Sequence, residues 1–142
     1  ELPPEAIREM IINAHCHRNL LDESCIQVAI YDNRLEVTSP GGLYNGLTYE
    51  EVMNGHSKIR NKGIANIFSQ MGLVEALGSG IKRILNAAEE YGLPKPRFQE
   101  FDNMFRVELF RNLFPMMEEN RDIGETSEKH RRSIRNRTTN RT

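Results

Sequence analysis

Two Asp-Asn pairs, Asp32-Asn33 and Asp102-Asn103, each separate two short runs in which apolar and polar residues alternate. Asp and Asn tolerate the left-handed conformation that a two-residue hairpin turn requires, so each pair predicts a β-hairpin. The first hairpin alternates through Ile26, Val28 and Ile30, then Leu35 and Val37, and the second through Phe98, then Phe105, Val107 and Leu109. The register about Asp32-Asn33 sets Ile30 opposite Leu35 and Val28 opposite Val37, all expected on one buried face.

Between and before the hairpins the period changes to that of a helix. The stretch EAIREMIINAHCHRN follows Pro3-Pro4 and carries Ile7, Met10, Ile11 and Ala14 at the spacing of a buried face, to about His17. A short helix is expected after Thr48, with Glu51 placed for a capping box. Ile64 to Met71 and Ile81 to Ala88 give two further helices, ending at Gly72 and Gly92. Helix, hairpin, helices, hairpin in this order predicts an α+β two-layer sandwich, with helices on one face of a mostly antiparallel or mixed sheet.

The 142 residues suffice for one domain. The chain opens ELPPEA, without an initiator methionine, and is read as a fragment of a longer protein. No apolar run has membrane-spanning length and no signal-peptide pattern precedes the first helix, so a cytoplasmic protein without membrane contact is expected. Cys16 and Cys25 are too few for a disulfide framework. The His15-Cys16-His17 run lacks a recurring zinc spacing, and adjacent helical residues point apart.

The net charge of −1 hides an asymmetry, because residues 121–142 carry seven Lys or Arg against three acids. The chain divides into a domain over 1–114 and a basic tail or linker over 115–142, expected to be disordered.

The functional signal lies on the first helix and in two glycine turns. Glu9, Asn13 and His17 are spaced by four, so they project from one side of that helix at the border of its apolar face. Pro40-Gly41-Gly42 and Gly78-Ser79-Gly80 are turns that suit phosphate. Together they point to a metal-nucleotide site.

In order, EAIREMIINAHCHRN, YDNRLEVTSPGGL, NGHSKIRN and GLVEALGSGIKRI resemble the first helix and the two glycine boxes of the GHKL ATPases. More closely, residues from about Leu2 to Phe110 are similar to the GHKL-like C-terminal domain of bacterial and archaeal proteins described as transcriptional regulators or RecG-related ATP-dependent helicases. There the domain usually follows a Schlafen/AlbA-type DNA-binding domain.

The resemblance implies an ATP-binding regulatory domain with slow hydrolysis. Its partners would be nucleotide, the N-terminal Schlafen/AlbA-type domain, DNA through other domains, and a second copy in a homodimer. By the same resemblance Glu9 is the catalytic residue that orients the attacking water, and Asn13 holds the Mg²⁺ that bridges the ATP phosphates. His17, Ser39, Gly41, Gly42, Gly78, Ser79 and Gly80 would complete the nucleotide site. One departure stands out: Thr38 and Ser39 occupy the place of the aspartate that reads adenine in active members, which removes a charge-assisted contact. The alternative is a degenerate, non-catalytic GHKL-like module for dimerisation or docking in a DNA-binding regulator.

Overall fold

A computed structural model describes residues 1–44, 46–56, 58–74 and 79–112. The expected tail over 115–142 and Gly78 lie outside the described residues. The elements run α1 (Pro4–His17), β1 (Gln27–Ile30), β2 (Arg34–Pro40), α2 (Tyr49–Met53), α3 (Lys62–Gln70), α4 (Gly80–Glu90), β3 (Arg97–Phe101) and β4 (Met104–Phe110).

The four strands form one sheet in the order β1-β2-β4-β3, with every neighbouring pair antiparallel. Each hairpin turns at its Asp-Asn pair, but Asp32 and Asn33 turn without positive φ, so the left-handed expectation is corrected for the first pair. Asp102 and Asn103 both take positive φ, 46° and 58°, the backbone of the turn that matches strand twist. The first hairpin pairs Val28 with Val37 and Ile30 with Leu35, the expected register. The two hairpins then join through β2 and β4, where Leu35 faces Leu109 and Val37 faces Val107.

Helices α1 and α4 lie on one face of this sheet, which makes the α+β two-layer sandwich. The core is built from Ala6, Met10 and Ala14 of α1, Ile84, Ala87 and Ala88 of α4, and Leu35, Val37, Phe98, Val107 and Leu109 of the sheet. A second cluster sets Ile12 and Cys16 of α1 against Ala65 of α3, with Ile59 and Phe68 at its margin. The capping box at α2 is present: Thr48 Oγ1 accepts from the Glu51 amide, and Glu51 Oε2 accepts from the Thr48 amide at 2.8 Å.

Two expectations about burial are corrected. Val28 and Ile30 are 52% and 72% exposed, because β1 is the sheet edge and lies beyond the helices that cover β2 and β4. On α1, Ile11 is exposed and Ile12 buried, since that helix is covered from two sides, by the main core and by α3. Ile67 and Met71 are also exposed, so α3 buries a narrower stripe than its composition implies.

Because both turn residues need positive φ, Asn103→Val is expected to destabilise the domain by about 1–2 kcal/mol relative to wild type, the cost of a left-handed backbone for an ordinary L-residue. Asn103→Gly should be neutral or stabilising. Urea unfolding followed by circular dichroism checks both, and equal stability of the two variants would contradict the turn assignment.

Candidate nucleotide site

The core is not filled from end to end. A cleft, about 1000 Å³ with its open mouth included, lies between sheet and helices. Its floor is Val37 and Ser39 of β2 with Phe105 and Val107 of β4. Glu9, Asn13 and His17 of α1, Gly80 and Ile81 at the start of α4, and Tyr44, Val52, His56 and Lys58 also line it.

The cleft therefore brings together Glu9, Asn13, His17, Ser39, Gly41, Gly42 and Gly80. Ser79 is the N-cap of α4 and is not among the lining residues, and its side chain accepts no capping hydrogen bond. Strand alternation separates the two neighbouring hydroxyls of Thr38 and Ser39. Ser39 faces the cleft, whereas Thr38 faces the other side of the sheet and accepts from Arg106 Nε at 3.0 Å.

Glu9 is 4% exposed and ion-paired with Arg83 of α4, whose Nη1 lies 3.0 Å from Glu9 Oε1. The other carboxylate oxygen points at Gly80, where an added Cβ would lie 3.2 Å from Glu9 Oε2 and 3.8 Å from Asn13 Oδ1. Gly80 thus lets α4 start close against α1. The amide of Asn13 has no hydrogen-bond partner among the described residues and borders the cleft. The other two glycines serve contacts within the protein. Gly41 has φ +104°, and its free space is filled by the Asn19 backbone, whose amide donates to Pro40 O at 2.7 Å. Gly42 leaves room for the Glu100 carboxylate, which accepts from the Leu43 amide at 3.0 Å.

The segment that carries Lys58 and Ile59 to the cleft is held by two neighbours that sequence spacing did not single out individually. Arg60 Nη2 donates to Gly42 O at 2.9 Å, and its guanidinium lies 4.9 Å from the centre of the Tyr44 ring. Asn61 Nδ2 donates to His15 O and Arg18 O, and the Asn61 amide donates to Cys16 O. These bonds cap the open carbonyls at the end of α1 and fix the segment beside the cleft mouth. The run NGHSKIRN contains both residues, but only the fold shows what they hold.

Burial pushes the His17 pKa below its usual 6.5, helped by the nearby Arg60 charge. Burial, helped by the Glu9 charge, raises the Cys16 thiol to about 11, which leaves it an unreactive core group. Among the described residues no group of three or more His, Cys, Asp and Glu is placed to hold a metal ion by itself.

A family model described as "Putative ATP-dependent DNA helicase recG C-terminal" matches residues 23–109. The chain belongs to that family. It is thus an ATPase-like domain related to RecG, and the match spans both hairpins and α2 to α4. Ser39, Gly41, Gly42 and Gly80 lie inside the matched residues, whereas α1 with Glu9, Asn13 and His17 precedes them. The crystal structure of the DIP2311 protein from Corynebacterium diphtheriae is similar to this RecG-related domain with a TM-score of 0.72 and 30% identity. The likeness covers 83% of this chain and 26% of that one, so the chain spans about a quarter of that protein's length. No curated protein matches the chain. Among the described residues, no helix is long and apolar enough to cross a membrane.

With a folded-state pKa below the unfolded value, His17 favours the neutral form, so its contribution to stability is full above about pH 6.5 and is lost as pH falls towards the lowered value. The expected outcome is that His17→Gln flattens this part of the stability-pH curve. NMR titration of the imidazole should give a midpoint under 6.5, and a midpoint above it would contradict the buried setting.

Proposed function

We propose that the cleft binds ATP and that the chain is the nucleotide-binding regulatory domain of a longer, cytoplasmic DNA-binding regulator. In this reading residues 1–114 are the ATP-binding unit and 115–142 a basic linker, with a Schlafen/AlbA-type domain N-terminal to them. The observation that carries the reading is the meeting of Glu9, Asn13 and the start of α4 at Gly80. A helix N-terminus favours phosphate through its dipole and its unpaired amides. The apolar floor of Val37, Phe105 and Val107 suits a flat base, with Ser39 offering a hydroxyl at its edge.

The donor set fits a Mg²⁺ that arrives with the nucleotide. Asn13 would supply one neutral, hard oxygen, leaving water and phosphate oxygens as the other ligands, and the ion would neutralise phosphate charge there. Glu9 is the group for orienting water near the terminal phosphate, through Oε2, the oxygen beside Gly80. A second reading, a non-catalytic module for dimerisation or docking, is favoured by Ser39 in place of a carboxylate and by the Glu9–Arg83 ion pair.

A ligand that binds only the native state raises apparent stability by mass action. Mg²⁺ and ATP at millimolar concentration are expected to raise the melting temperature. Asn13→Ala should weaken the Mg²⁺-dependent part of the shift, whereas Glu9→Gln should keep binding and lose any phosphate release. No shift for wild type would overturn the ATP reading in favour of the docking module.

A further inference from the structure

Resting on the ATP reading, the cleft raises the question of how a base is held where the adenine-reading carboxylate is missing. Ser39 offers a single neutral hydroxyl, a weak reader of a base edge. Tyr44 lines the same cleft and is 39% exposed. Arg60 lies against its ring, 4.9 Å from ring centre to guanidinium carbon, and is not itself among the lining residues.

We infer that Tyr44, held by Arg60, is the platform on which the nucleobase stacks, so the site recognises a base by its flat face rather than by its edge. Arg60 is placed for the ring. Its Nη2 is anchored on Gly42 O, while its Nε is buried without a hydrogen-bond partner among the described residues. Burying an unpaired donor costs free energy, so this position is not the one that best satisfies the arginine alone. A guanidinium on a tyrosine face is attractive and fixes the ring plane. Base–aromatic stacking tolerates different bases, since every base offers a π-face. The site therefore discriminates poorly between ATP and GTP, and Tyr44 supplies the affinity that the carboxylate supplies elsewhere.

The test is calorimetric titration of the full chain, in Mg²⁺, with ATP, GTP and inorganic tripolyphosphate, for wild type, Tyr44→Ala, Tyr44→Phe and Arg60→Gln. Wild type should bind ATP and GTP with similar affinity, both more tightly than tripolyphosphate. Tyr44→Ala should weaken both nucleotides by at least about fivefold, the lower end for a lost base–aromatic stack, and leave tripolyphosphate unchanged. Tyr44→Phe should keep wild-type affinity, and Arg60→Gln should lose nucleotide but not tripolyphosphate affinity. Equal ATP binding by wild type and a folded Tyr44→Ala overturns the platform while the ATP reading stands. A strong preference for ATP over GTP also overturns it, because an edge contact must then read the base. Absence of binding by all three ligands overturns the ATP reading and the platform with it.

Discussion

The antiparallel pairing of β2 with β4 is the contact on which the rest depends. It joins two hairpins far apart in sequence, and it runs for seven residue pairs, from Arg34 with Phe110 to Pro40 with Met104. Its register puts Val37 beside Val107 and Ser39 beside Phe105, the floor of the cleft. A slip of one residue would turn those side chains to the other face and bring Thr38 and Arg106 inward. The helices then have only one apolar surface to cover, and the cleft forms where α1 and α4 leave the β2–β4 end uncovered.

The opposite face of the sheet holds this register by charge. Glu36 and Glu108 face each other across β2 and β4 and are 6% and 2% exposed. Arg34 Nε donates to Glu36 at 2.7 Å, Arg97 Nε donates to Glu108, and Arg106 Nε lies 3.8 Å from Glu36. The arginines stack in turn on Tyr31, Phe110 and Phe101. The Arg97 hydrogen bond holds the Glu108 carboxyl below its usual range against the opposing effect of burial, with Glu36 and the Arg34 charge adding to it. Two carboxylates side by side would repel, and any other register would leave them without these guanidinium partners.

How far the sequence revealed this structure depends on whether the information was local. The Asp-Asn turns, the Thr48–Glu51 box and the glycines at 72 and 92 act within a few residues, and the structure places each where expected, although only Asp102-Asn103 takes the left-handed backbone and Asp32-Asn33 does not. Strand pairing within each hairpin was equally legible. Exposure of Val28 and Ile30 was not, because it depends on which strand becomes the edge, and the β2–β4 pairing that decides this joins distant residues. The same reason hid Arg60, Asn61 and Arg83. Each is an ordinary charged or polar residue in sequence and gains a role only when α1, the glycine turn and α4 converge. Spacing by four did place Glu9, Asn13 and His17 on one side of α1, but it carried no sign that Glu9 would be buried against Arg83.

That burial bears on why a carboxylate stands at position 9. An ion pair taken out of water is rarely more stabilising than apolar side chains of the same volume, because desolvation offsets most of the attraction. Met10 and Ile84 show that the α1–α4 contact already has an apolar core, so the helices do not need Glu9–Arg83 to adhere. Stability alone therefore gives little reason for Glu9. Its position gives a better one: Arg83 holds Oε1, and Oε2 is aimed at the start of α4, beside the Asn13 amide that has no partner among the described residues. Under the ATP reading, Arg83 orients the carboxylate and Gly80 keeps the approach open, so a side chain at position 80 would close the site without disturbing the sheet beneath it.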